Sequence, residues 1–224
     1  MIFLNRTACL GGDVTQYKVG TNHNFNNQQK VRIDMLMDIV EGKEIKPESK
    51  NIISLLSSPG DMAGIYSQSE NLLWYTLDQK PNYLIMDNFS ELTDKKIIHK
   101  DGWSFCGALG DFKSSAFDDG TLVSDGLISI NLIESLYDKF FQYIKNRWNV
   151  PIIFIHFPTI FDDRELYQNQ GRAISEALNH LSSIYNIQNI HADPDSIERK
   201  DANYYHFTQK TIKNMADKIV LEGK

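Results

Sequence analysis

Two short stretches hold the residues whose types could do covalent chemistry. In "NRTACLGGD" (5–13), Cys9 follows an apolar run and is followed by Gly11, Gly12 and Asp13. In "DANYYHFTQ" (201–209), His206 stands just before a segment that reads as a helix capped by Thr208, with Asp201 and Asn203 shortly ahead of it. An imidazole placed there can act as general base toward a group presented by the first strand's loop. Cys9, His206 and Asn203 make a chemically sound Cys–His–Asn set, because a thiolate needs less activation than a hydroxyl. Gly11 and Gly12 would let backbone N–H groups approach an oxyanion or a phosphate closely. The structural alternatives are plain ones. Cys9 would be a small hydrophobe beside a strand, the glycines a tight turn, and His206 a ring packed among Tyr204, Tyr205 and Phe207.

The elements that must position these groups follow from the hydrophobic pattern. "MIFLNRTACL", "NYLIMDN" (82–88), "VPIIFIHF" and "IQNIHA" read as strands, the middle two as buried ones. "VRIDMLMDIV", "SENLLWYTLDQK", "SINLIESLYDKFFQYIKNRW" (129–148), "RELYQNQGRAISEALNHLSSIY" and "TQKTIKNMADKIVLEG" read as helices. Ser69 and Ser129 are expected N-caps and Gly223 an expected helix end. In the 129–148 helix the expected buried stripe is Leu132, Leu136, Phe140, Ile144 and Trp148. "NIISLLS" (51–57) fits either strand or helix, "GTNHNFNNQQ" reads as a polar loop, and 97–127 as an irregular insertion. Apolar strands alternating with helices predict a three-layer α/β/α domain with a mostly parallel, roughly five-stranded sheet in flavodoxin-like order. Such sheets bind at the carboxyl ends of their strands, which adds Asp87, Asn88, His156 and the loop after His191 to the candidates.

Composition narrows the classes. With 224 residues, 42% of them hydrophobic, the chain can bury one core, and no linker or repeat divides it, so residues 1–224 read as a single domain. A formal net charge of −6 gives no electrostatic footprint for nucleic acid. Two cysteines make no disulfide scaffold and no zinc site. No segment reaches the length of a membrane span and the start lacks a signal-peptide pattern, so a soluble cytoplasmic protein is expected. "HADPDS" (191–196) offers a His and two Asp, or simply a turn capped by Asp side chains. Trp74, Trp103 and Trp148 read as packing residues, although Trp103 with Phe105 could line a sugar site.

Taken in order, "TACLGGD" (7–13), "YLIMDNFSEL" (83–92) and "YYHFTQKTI" (204–212) resemble the SGNH/GDSL hydrolases. Within that group the pattern is similar to SGNH-like proteins of bacterial surface-polysaccharide loci, whose first strand ends in a Gly-Ser-Cys-apolar-Ser-Arg-Asp turn. The resemblance implies an esterase or acyltransferase that acts on a carbohydrate, or another small molecule, in surface-polysaccharide biosynthesis or modification. Hydrolysis would require no cofactor; transfer would need an acyl donor such as acyl-CoA. The resemblance puts the nucleophile position at Ala8 and the general base at His206, steadied by Asn203 or Asp201. Oxyanion or substrate contacts fall to Gly11, Gly12, Asp13, Asp87, Asn88 and His156. Departures are visible: Thr7 replaces the Gly, Ala8 the Ser, Gly11–Gly12 the Ser–Arg, and Asn203 the Asp of Asp-x-x-His. A second register, "GGDVT", puts Val14 at the Ser. Three explanations stand side by side: an engineered Ser→Ala change at position 8, a thiol enzyme using Cys9, His206 and Asn203, or a non-catalytic sugar- or nucleotide-binding module.

Overall fold

The structure is a computed structural model that describes residues 1–20, 24–41, 53–57 and 80–221. In chain order its elements are β1 (Ile2–Arg6), α1 (Cys9–Val19), β2 (Asn24–Asn27), α2 (Ile33–Val40), β3 (Tyr83–Asp87) and α3 (Phe89–Thr93). There follow β4 (Lys95–His99), β5 (Ser104–Gly107), α4 (Ser114–Asp118), β6 (Leu122–Ser124), α5 (Ile130–Arg147), β7 (Ile152–Ile155), α6 (Glu165–Leu181), β8 (Ile187–Ile190) and α7 (Gln209–Lys218).

Five strands form a wholly parallel sheet in the order β2-β1-β3-β7-β8. With β4–β6 set aside, this is the flavodoxin-like order expected from the apolar runs. The chain steps one way from β1 to β2 and the other way from β3 through β7 to β8. Right-handed crossovers therefore put α1 on one face and α5 and α6 on the other. The packing agrees, because α1 rests against α7 while α5 rests against α2 and α6. The order reverses between β1 and β3, so the crevice at their carboxyl ends is the topological switch point where ligands bind. The strands that flank it are buried throughout: Phe3 and Leu4 on β1, all of β3, and all of β7.

Several expectations need correction. The polar stretch 20–29 holds β2, an edge strand rather than a loop. An edge strand is defined by backbone pairing on one side and needs no apolar run; β2 pairs residue by residue with β1 from Ile2–Asn24 to Asn5–Asn27. The stretch 97–127 is not irregular either. It carries most of a second, antiparallel sheet in the order β5-β4-β6, packed on its own cluster of Leu56, Ile97, Trp103, Phe105, Phe112, Ala116 and Leu122. Three- to five-residue strands between glycine turns are too short to display a period. Trp103 stacks on His99 within this unit, with ring centroids 4.1 Å apart, and so packs rather than lines a sugar site.

In α5 the buried face is Ile133, Tyr137, Phe140, Phe141 and Ile144, whereas Leu132 is 53% exposed. A spacing of four drifts about 40° per step on a 3.6-residue helix, so the expected stripe runs off the core at its first residue. The Ser129 and Thr208 positions are N-caps, but neither hydroxyl caps its helix. Residues 69–79 with Trp74, residues 51–52, and Gly223 lie outside the described residues. Among the described residues no helix is long and apolar enough to cross a membrane.

Polar links tie the small sheet to the main one. Arg32 reaches the Gly126 carbonyl (2.6 Å) and Lys30 pairs with Asp111 (2.6 Å). Beneath them lies Asp94, almost completely buried, its Oδ2 without a partner among the described residues. Burial pushes its carboxyl up to about 7, with Asp111 and Glu91 adding to the rise and Lys30 and Ser90 opposing it. An unfolded Asp loses its proton near pH ~3.9, so the folded state binds more protons from about pH 4 to about pH 7. The contribution to stability is therefore complete at the acid end of that window and lost as pH rises through it. Asp94→Asn, which cannot ionise, should flatten the fall in Tm between about pH 4 and about pH 7 relative to the unaltered chain. Melting curves recorded across that range check this; two parallel pH profiles would contradict it.

Candidate functional site

The turn after β1 is held from below by a buried carboxylate. Asp87, the last residue of β3, accepts the Ala8 N–H at Oδ2 (2.7 Å) and the Phe89 N–H at Oδ1 (3.1 Å). One side chain thus fixes both the start of α1 and the start of α3. Burial pushes the Asp87 carboxyl up to about 7 against the pull of those two N–H donors and of Arg6. Gly11 owes its identity to this contact. A Cβ there would lie 2.4 Å from Asp87 Oδ2 and 2.9 Å from the Thr7 side chain, closer than side chains pack. Asn27, on the edge strand, accepts the Thr7 N–H (3.0 Å) and donates to the Thr7 carbonyl (3.1 Å), so its amide continues the β1–β2 ladder into the turn.

Arg6 lies under the same turn and is 2% exposed. Its guanidinium donates to the Val31 carbonyl (2.6 Å), to the Asp87 carbonyl (3.0 Å) and to Glu91, which also accepts the Ile33 N–H (2.8 Å). Despite burial, pairing with Glu91 holds the guanidinium firmly protonated.

The His206 loop is fixed from the other side. Tyr205 donates its hydroxyl to Asp162 (2.5 Å), which also accepts Arg164 at 2.7 and 2.8 Å. Burial opposes ionisation of Asp162, but the donors from Arg164 and Tyr205 outweigh it and hold the carboxyl below the usual range. Tyr205 also packs edge-on against Phe89 and Phe157. On this support His206 Nδ1 meets Asp201 Oδ2 at 2.9 Å. The hydrogen bond to His206 leads the effects that hold the Asp201 carboxyl low. Asn203 does not meet the ring. Its N–H donates to Asp201 and its side-chain oxygen accepts the Tyr205 N–H, so it shapes the loop rather than orienting the imidazole.

Around these supports the candidate residues fall into three neighbouring cavities. Cys9, Asp13 and His206 line one of about 560 Å³, with Leu10, Lys200 and Tyr205. Ala8, Thr7, Gly12 and Asn27 line a second, of about 390 Å³, whose wall Cys9 and Asp13 share. Asn88 and His156 line a third, of about 450 Å³, at the ends of β7 and β8. Cys9 is therefore the group that faces His206's cavity, while Ala8 sits at the N-cap of α1 and faces the next one. Cys9 is exposed, Cys106 is buried, and both are free thiols.

Two oxyanion candidates are also displaced. The Gly12 N–H donates to the Ala8 carbonyl (2.9 Å), so the first-turn donors without a partner among the described residues are those of Cys9, Leu10 and Gly11. Asn88 is placed on the other cavity, with its Oδ1 accepting the Phe157 N–H (2.8 Å). His156 shares that cavity; burial first, and then neighbouring His191, hold its imidazole down to about 3. In "HADPDS", Asp193 is bound by Asn214 and Lys218, and among the described residues no His/Cys/Asp/Glu group is arranged to hold a metal. The supporting residues Arg6, Glu91, Asn27 and Asp162 escaped sequence reasoning. A charged residue inside the first strand's run was the one visible sign of Arg6.

No protein-family model matches the chain, and no curated protein matches it. Solved structures do. A carbohydrate esterase family 2 enzyme with a carbohydrate-binding domain, from Corynascus thermopiles (Myceliophthora fergusii), aligns at 11% identity and a TM-score of 0.42 over 97% of this chain and 61% of that one. An acetyl xylan esterase from the rumen bacterium Butyrivibrio proteoclasticus aligns at 10% identity and a TM-score of 0.39 over 96% and 60%. The chain thus spans about three-fifths of the length of each.

Proposed function

We propose that this chain is a thiol-dependent esterase or acyltransferase, with Cys9 as nucleophile, His206 as general base and Asp201 as the residue that orients His206. The observation that carries the reading is that Cys9 and His206 line one cavity while Asp201 engages His206 Nδ1 at 2.9 Å. With Nδ1–H donated to Asp201, Nε2 is the nitrogen left for proton transfer. Position 8 lines only the adjacent cavity whereas Cys9 lines both, which favours the thiol over position 8 as the nucleophile.

The chemistry balances with these groups alone. The Cys9 thiol gives its proton to His206 Nε2, and the sulfur attacks the ester carbonyl carbon. The bond to the alcohol oxygen breaks, that oxygen takes the proton back from His206, and a thioester remains on Cys9. Water, deprotonated by His206, then attacks the thioester and restores the thiol; in transfer an acceptor hydroxyl replaces water. The unpaired N–H groups of the first turn of α1 are the donors suited to the oxyanion, strengthened by the positive end of the helix. The substrate class, an ester of a carbohydrate, is supported by the resemblance of the three motifs to SGNH hydrolases, as is a setting in polysaccharide modification. A transferase would draw its acyl group from a donor such as acyl-CoA.

Glucose pentaacetate provides the test. Acetate release by the unaltered chain, undiminished when Ala8 is changed to Ser, is the expected result. Release that appears only with Ala8→Ser would transfer the nucleophile to position 8, and no release from any version would leave a binding module.

A further inference from the structure

The third cavity has a chemistry of its own. Its floor is His156, 4% exposed at the end of β7, whose protonation pattern is fixed by its neighbours. Asn189 donates its amide nitrogen to the Leu178 carbonyl (3.2 Å), which leaves its oxygen as the acceptor facing His156 Nε2 at 3.2 Å. Nε2 therefore carries the hydrogen, and Nδ1 is a bare lone pair. That lone pair is buried and has no partner among the described residues. His191 cannot supply one, since its ring stacks flat on His156 with centroids 4.0 Å apart and planes at 11°. Asn88 brings the opposite polarity to the same cavity, because its oxygen is taken by Phe157 N–H and its NH₂ group is left as a donor. At the rim stands Arg172, exposed on α6 and without an ion-pair partner among the described residues.

Gly171 on α6 and Thr159 share one wall of the cavity and touch there. A Cβ there would meet Thr159 at 2.9 Å, so the 157–162 loop and the helix close together only around a bare backbone. Phe157, which lines this cavity, packs edge-on against Tyr205 and Phe207, which line the one holding Cys9. At about 450 Å³ the space is that of a small-molecule site.

A deep acceptor that requires a donor, a deep amide donor and a cation at the mouth complement a hydroxylated ring bearing a carboxylate. We propose that this cavity is a second binding site, for a sugar acid of the uronate type, with a ring hydroxyl donating to His156 Nδ1 and the carboxylate meeting Arg172. Nothing in it depends on the chemistry of Cys9.

The experiment titrates the full chain with D-glucuronate, D-glucose and sodium sulfate, by calorimetry and by ¹⁵N NMR of the histidine rings. Glucuronate should bind saturably, glucose at least about tenfold more weakly, and sulfate should leave His156 unmoved. The His156 Nδ1 resonance should shift on adding glucuronate, in the chain as it stands and in a Cys9→Ala variant alike. Arg172→Gln, a surface change, should weaken glucuronate at least about tenfold and leave glucose unchanged. Absence of saturable glucuronate binding would overturn the proposal. So would equal binding of glucuronate and sulfate, an unmoved His156 Nδ1, or glucuronate affinity unaltered by Arg172→Gln.

Discussion

Cys9→Ala should abolish ester turnover, lowering kcat by at least about 10³-fold, while the circular dichroism spectrum and Tm should remain those of the unaltered chain. The two halves of that result have separate causes. Turnover should be lost because, in the proposed mechanism, nucleophile and base act as a unit and His206 then lacks the thiol it deprotonates. Stability is kept because Cys9 is exposed at the first residue of α1, and surface substitutions of this kind stay within about 0.5 kcal/mol. His206→Ala should cost nearly as much activity as Cys9→Ala. Asp201→Asn should cost less, about 10- to 100-fold, since both members of the Asp201–His206 pair are exposed and water competes for the bond. Steady-state kinetics on glucose pentaacetate checks the series. Full activity in Cys9→Ala would end the thiol assignment.

The second large effect is on the fold. Arg6→Met should destabilise the chain by about 3–5 kcal/mol, because it leaves the Glu91 carboxylate buried without its counter-charge. For a chain of this length that is a drop in Tm of about 10 °C, read directly in a melting curve. Glu91→Gln should cost less. An amide oxygen still accepts the Ile33 N–H and one Arg6 donor, although the guanidinium then lacks a counter-ion. Arg6→Met should also reduce turnover, for a traceable reason. Its guanidinium holds the Asp87 carbonyl, and the Asp87 carboxylate holds the Ala8 N–H from which Cys9 is presented. An Arg6→Met chain as stable as the original would show that the buried pair is dispensable.

What the sequence displayed was set by which physical signal each element carries. β3 and β7 were plain in "YLIMD" and "IIFI" because strands buried on both faces read as unbroken apolar runs. β2 was hidden because an edge strand built of "NFNN" carries no such run; its place is fixed by pairing with β1 and by the Asn27 amide. The small sheet was hidden because its core is assembled from residues far apart, from Leu56 to Leu122. At the site, the sequence brought forward Cys9, His206 and Asp201, and the strand-end rule brought forward Asp87, Asn88 and His156. It could not separate these last into a support, Asp87, and the walls of another cavity, Asn88 and His156. That division depends on hydrogen bonds between residues some seventy to eighty positions apart. Choosing Asp201 over Asn203 likewise required the loop's geometry, since spacing alone favoured the nearer residue.

The most direct test of the account is to catch the thioester. The chain is mixed briefly with p-nitrophenyl acetate, quenched in acid, digested and analysed by peptide mass spectrometry. The account predicts one acetyl group on Cys9, acid-stable and released by hydroxylamine, that builds up when His206 is changed to Ala only as slowly as the uncatalysed reaction. Rapid p-nitrophenol release with Cys9 unmodified at every time point would contradict it.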